Sequence, residues 1–113
     1  MAEFREVSGE DAVRYELSGR LDSASVEQIE AKLTASARGR PGNVMFDLQQ
    51  VSFVGSLGIR MLISTARTLQ REGRRLVLVG VQPQVMDVFE TVALSELIPI
   101  AANPDEATQL LEG

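Results

Sequence analysis

Val13, Tyr15 and Leu17 alternate with Arg14 and Glu16, the two-residue period of a strand that buries one face. A similar alternation covers about 3–7, and Gly9 lies between the two stretches. A hairpin of strands at 3–7 and 12–18 is therefore predicted, with its turn at Gly9. After Gly19 the spacing lengthens. Val26, Ile29 and Leu33 fall on one side of a helix at 24–37, with Glu27, Glu30 and Lys32 off that side. Asp22, Ser23 and Ser25 are all able to cap it, and Ser25 to Gln28 has capping-box spacing.

Pro41 marks a turn, after which Val44, Phe46 and Leu48 share one strand face at 43–48 while Met45 occupies the other. Such a strand is expected at the centre of a sheet, covered on both sides. The run continues apolar through VSFV, and a second helical pattern spans 56–72. Its stripe is Ile59, Leu62, Ile63, Ala66 and Leu69, and Gly73 supplies the stop. LVLVG reads as a short buried strand, Gln82-Pro83 as a helix start, and Val85, Val88, Phe89 and Val92 as the inward face of that helix. A last strand at 97–101 is placed at an edge because of Pro99. Asn103, Pro104 and Glu106 have the cap, first-turn proline and box spacing of a final helix.

The element order β-β-α-β-α-β-α-β-α predicts an α/β fold: a small mixed β-sheet with an opening hairpin, parallel pairings thereafter, and about four helices packed against it. At 113 residues the chain suits one domain, 1–113. No apolar run reaches the roughly 20 residues of a membrane helix, and no signal peptide opens the sequence, so no membrane insertion is expected. Cysteine is absent, which makes the cytoplasm the default compartment.

Charge and missing residue types narrow the function. A net charge of −5 opposes binding to nucleic acid or anionic lipid. Without His or Cys the commonest general base, the thiolate nucleophile and the usual zinc ligands are gone. There is no glycine-rich phosphate cradle, and no spacing marks a carboxylate pair. The composition argues against an enzyme and offers no catalytic, cofactor or metal site.

Two segments carry a resemblance. GRLD at 19–22 and FDLQQVSFVGSLG at 46–58 resemble hallmarks of the STAS domain family, whose stand-alone bacterial members are anti-sigma factor antagonists (anti-anti-sigma factors). The likeness covers nearly the whole chain. It implies partner switching: binding of an anti-sigma factor that is also a serine protein kinase, release on phosphorylation, a phosphatase that reverses it, and indirect regulation of transcription. The phosphoacceptor of the family pattern falls on Ser56 and its closing glycine on Gly58. The aspartate of that pattern is Gly55 here, and its small hydroxyl residue is Leu57. Asp22 matches the family's other acidic position. The resemblance also allows an adaptor role without a switch, as in the accessory subunits of some bacterial lipid-transport ATPases. A monomer is expected when no partner is bound.

On residue type alone, Ser56 reads as the N-cap of the second long helix, with Gly55 giving a tight turn and Gly58 close packing. Asp22 reads first as a cap, and Asp47 as a side chain that closes a turn onto backbone. Arg60, Ser64, Arg67 and Arg71 line one face from Ser56 onward. Arg67 and Arg71 are expected to be solvated, while Arg60, one turn on, is placed to reach a phosphate. Leu57 and Met61 form an apolar pair open to two readings, core packing or a docking patch. The expected partner-binding set is Asp22, Gly55, Ser56, Leu57, Gly58, Arg60 and Met61.

Overall fold

The computed structural model describes residues 2–8 and 12–112. Strands β1 (Ala2–Ser8) and β2 (Ala12–Leu21) pair antiparallel, and the Gly9 turn between them lies outside the described residues. Helix α1 (Ser23–Arg38), strand β3 (Asn43–Val54), helix α2 (Ser56–Arg71), strand β4 (Leu76–Val79) and helix α3 (Pro83–Thr91) follow. A single 3-10 turn at Leu94–Glu96 precedes strand β5 (Ile100–Ala101) and helix α4 (Pro104–Glu112). The strands form one sheet in the order β1-β2-β3-β4-β5, and every pairing after the hairpin is parallel.

Alternation decides which side chains meet the helices. Tyr15, Leu17, Val44, Phe46 and Leu48 join Leu33, Met61, Leu62, Leu69 and Phe89 in the main core. Full burial of each such side chain is worth roughly 1.5–3 kcal/mol. Tyr15 meets Phe4 and Phe46 edge-on, with ring centroids 5.9 Å apart in both pairs. On the other face Met45, Val77, Val79 and Ala101 are covered by Ala107 and Leu111 of α4. Strand β3 is thus covered on both sides, as its unbroken apolar run predicts.

Polar groups where β1, β2 and α1 meet bond to one another. Tyr15 Oη lies 2.8 Å from Ser36 Oγ, Ser36 donates to Glu6 at 3.1 Å, and Arg40 pairs with the same carboxylate. This chain of contacts ties β1, β2 and α1 together. Burial holds the Tyr15 hydroxyl above its ordinary pKa, with the Glu6 charge adding to the effect.

Several expectations are revised. Strand β3 runs to Val54 rather than ending near 48, and β2 continues to Leu21. The reason is a pair of register shifts: β3 carries an extra residue between Asp47 and Gln50, and another between Val51 and Phe53. At the first, Asp47 Oδ1 accepts the Gln49 amide at 3.0 Å, so the expected bond to backbone is made, within a bulge of the strand. Val88 and Val92 do not face inward. They are 37% and 47% exposed, because α3 is only nine residues long and its inward side is filled by Val85 and Phe89. The 3-10 turn brings the chain to the sheet late, which shortens the final strand to Ile100–Ala101 at the sheet edge.

Candidate functional site

The C-terminal ends of β2 and β3 lie side by side, with Leu21 opposite Val54. From these ends the chain turns into α1 and α2, so the two helix N-termini share one rim of the sheet. Asp22 caps α1: its Oδ1 accepts the Ser25 amide at 3.0 Å. That backbone hydrogen bond is the main reason its carboxyl is held below the ordinary value. Of the three capping candidates the structure selects Asp22, because its extended backbone aims the carboxylate at the third helical N–H.

Ser56 does not cap α2. Gly55 is the N-cap, no side-chain oxygen bonds the first turn, and Ser56 is the first helical residue, exposed to solvent. The capping expectation therefore fails by one position. Its failure matters, since the Ser56 hydroxyl is not committed to the helix. Gly55 is not a tight turn either: its φ of −89° and ψ of −176° are open to any residue. Its amide donates to the Leu21 carbonyl at 3.0 Å. A Cβ at this position would sit 3.3 Å from the Phe53 ring.

Gly58 is required by its surroundings. A Cβ there would lie 2.8 Å from the Leu21 carbonyl oxygen and 2.9 Å from Val54 Cγ1. The first turn of α2 is thereby pressed onto the strand ends, and Ser56 is held out at the rim. Leu57 is half-buried against the core, and Arg60 is exposed one turn along.

Met61 is the clear correction. It is 1% exposed and belongs to the main core, so the core reading of this residue holds and it offers no docking surface. At about 100° per residue it points well away from Arg60 toward the sheet. The site thus brings together Asp22, Gly55, Ser56, Leu57, Gly58 and Arg60, and leaves Met61 beneath them.

Two neighbours were not anticipated. Phe53 is 38% exposed, and the Arg20 guanidinium stacks over its ring at 4.3 Å. The register shift in β3 sets Phe53 opposite Arg20. Phe53 stands in the apolar run VSFV and so reads as one more core residue, and the bulge that pairs it with Arg20 leaves no mark in the sequence.

Comparison with known proteins agrees with this geometry. The family model for the STAS domain matches residues 5–107. The protein BtrV of Bordetella bronchiseptica, provisionally named an anti-sigma factor antagonist, is 32% identical over 80% of this chain and 78% of its own length. The anti-sigma F factor antagonist of Lysinibacillus sphaericus is 30% identical over 91% of this chain and 88% of its own. Among solved structures, the anti-sigma factor antagonist SpoIIAA in its unphosphorylated form superposes with a TM-score of 0.78. It is 26% identical and covers 98% of this chain and 97% of that one. The phosphorylated form of SpoIIAA from Bacillus superposes at 0.68, with 95% and 97% coverage.

Proposed function

Because the chain belongs to the STAS domain family, and similar proteins are anti-sigma factor antagonists, we propose that it binds a kinase-type anti-sigma factor in the cytoplasm and is released by phosphorylation of Ser56. The observation that carries the reading is the position of Ser56, exposed in the first turn of α2 with no side-chain capping bond in that turn. Similarity to a protein known in unphosphorylated and phosphorylated forms supports it.

The switch has a simple physical basis. The kinase transfers the γ-phosphoryl group of its bound nucleoside triphosphate to Ser56 Oγ. An O–P bond forms there, the bond to the leaving diphosphate breaks, and the hydroxyl proton passes to a base of the kinase. The phosphate adds about 1.5 to 2 negative charges. Burying that charge in an interface without a matching cation costs several kcal/mol, on the order of a hundredfold or more in affinity. On the free protein the same phosphate meets the N–H groups at the start of α2, a favourable place for an anion.

The test is a titration of variants against the cognate anti-sigma factor, with intact mass reporting modification. Ser56→Ala should bind and stay unmodified. Ser56→Asp should bind more weakly, and Leu57→Glu should weaken binding whatever the state of Ser56. Wild-type binding by both Ser56→Asp and Leu57→Glu would place the contact face elsewhere. Weakening by Leu57→Glu alone would leave an adaptor without the switch.

A further inference from the structure

Between Asp47 and Glu72 the sequence contains no carboxylate, although the chain carries 16 of them and a net charge of −5. This acid-free stretch is the outer part of β3, the turn at Gly55 and the whole of α2. Within it stand Arg60, Arg67 and Arg71. At about 100° per residue, Ser56, Arg60, Ser64, Arg67 and Arg71 project within an arc of about 80°. All five are exposed, while Met61, Leu62, Thr65, Ala66 and Leu69 fill the buried side.

Most other cations of the chain have work inside the fold. Arg5, Arg14, Arg40 and Arg74 form ion pairs. Arg75 donates to the Leu110 carbonyl, and Arg20 covers Phe53. Among the described residues no carboxylate comes within ion-pair distance of the three α2 arginines. Helix stability accounts only for Arg71, whose charge suits the C-terminal turn of α2; otherwise a like-charged row on one helix face is mildly repulsive.

We infer that the outer face of α2 is a docking surface for an acidic protein segment, with Arg60, Arg67 and Arg71 meeting carboxylates spaced along it. The inference deepens the partner-binding reading of Ser56 and rests on it, naming the charge that the partner presents. Three arginines over about 16 Å of helix match discrete carboxylates, such as those on an acidic helix. A nucleic acid or anionic membrane would need a wider basic surface, and α1 and α3 supply exposed Glu27, Asp87 and Glu90 instead. Phosphorylation of Ser56 would then act twice. It repels the partner's carboxylates and engages Arg60 from within the chain.

The experiment compares the wild-type chain with the triple variant Arg60→Gln, Arg67→Gln, Arg71→Gln against the anti-sigma factor, across salt concentrations. Exposed arginines leave folding intact, so both should melt within about 2 °C of each other. The triple variant should bind roughly tenfold more weakly at 0.05 M salt, with the gap closing near 0.5 M. Equal binding at low salt would overturn the inference and leave the partner reading standing. If the wild-type chain binds no anti-sigma factor, the partner reading fails. The stripe is then decided by titrating labelled full chain with a synthetic glutamate-rich helical peptide, a DNA duplex and phosphatidylglycerol vesicles. Salt-sensitive shifts confined to α2, caused by the peptide and lost in the triple variant, uphold it. A stronger response to duplex or vesicles, or none to the peptide, overturns it.

Discussion

Gly58 lies against Leu21 so closely that a Cβ would fall 2.8 Å from its carbonyl oxygen and 3.0 Å from its Cβ. The same carbonyl accepts the Gly55 amide at 3.0 Å. One peptide group at the end of β2 therefore fixes both the turn and the first coil of α2, and with them the display of Ser56 on the same rim as Asp22.

Replacing Gly58 tests that contact. Alanine is favoured over glycine in a helix by about 1 kcal/mol, yet the clash is with backbone and cannot be relieved by a rotamer. Overpacking of this kind costs about 1–3 kcal/mol. The clash outweighs the helix preference, so Gly58→Ala should destabilise the protein by up to about 2 kcal/mol in a urea titration. A neutral or stabilised variant would mean that α2 lifts freely from the strand ends.

Gly55 tests the opposite case. Its extended backbone suits an N-cap side chain, and the exposed Phe53 ring need move only slightly to admit a Cβ at 3.3 Å. Gly55→Asp should stabilise by a few tenths of a kcal/mol through a new bond to the first turn. It also places an acidic residue where the family pattern has one, beside Ser56, so a kinase that recognises that pattern should modify Ser56 faster. A fall in thermal midpoint of several degrees would show that the Arg20–Phe53 stack cannot yield.

Arg60 separates the two chemical states of Ser56. An exposed arginine without a carboxylate partner contributes little, so Arg60→Ala should leave the unmodified protein within about 0.5 kcal/mol of wild type. With phosphate on Ser56 one turn away, loss of the guanidinium should cost about 0.5–1 kcal/mol more. Calorimetry of both forms measures the difference. Equal effects in the two forms would exclude the pairing.

Glu6 predicts a pH dependence. Burial raises its pKa, but the hydrogen bonds from Arg40, Ser36 and Tyr15 together with the Arg40 charge outweigh that and hold it below its ordinary value. A carboxyl lowered in the native state stabilises the fold fully above its unfolded pKa. That contribution is lost as pH falls through the native value. Stability should therefore decline as pH drops below about 4.5, and Glu6→Gln should be less stable at neutral pH with a flatter acid limb. An unchanged slope in urea titrations across that range would remove Glu6 from the acid response.

The sequence by itself determined the element order, the mixed sheet, the double burial of β3 and the helix boundaries at Pro83, Pro104 and Gly73. These are local: apolar period, proline tolerance and glycine handedness act within a turn or a strand. Gly73, at a φ of +75°, ends α2 through bonds from its own amide and that of Arg74 to Gln70 and Leu69. The position of Ser56 was legible to within one residue for the same reason. Tertiary structure decided the rest. Whether Met61 faces solvent or core depends on how α2 is rotated on the sheet, and Gly58 against Leu21 sets that rotation. Val88 and Val92 carry the apolar spacing of an inward face, yet a nine-residue helix at the margin of the core has only one row to bury. Arg20 meets Phe53 because two extra residues in β3 shift the register, a displacement set by the pairing of two strands and written in neither one alone.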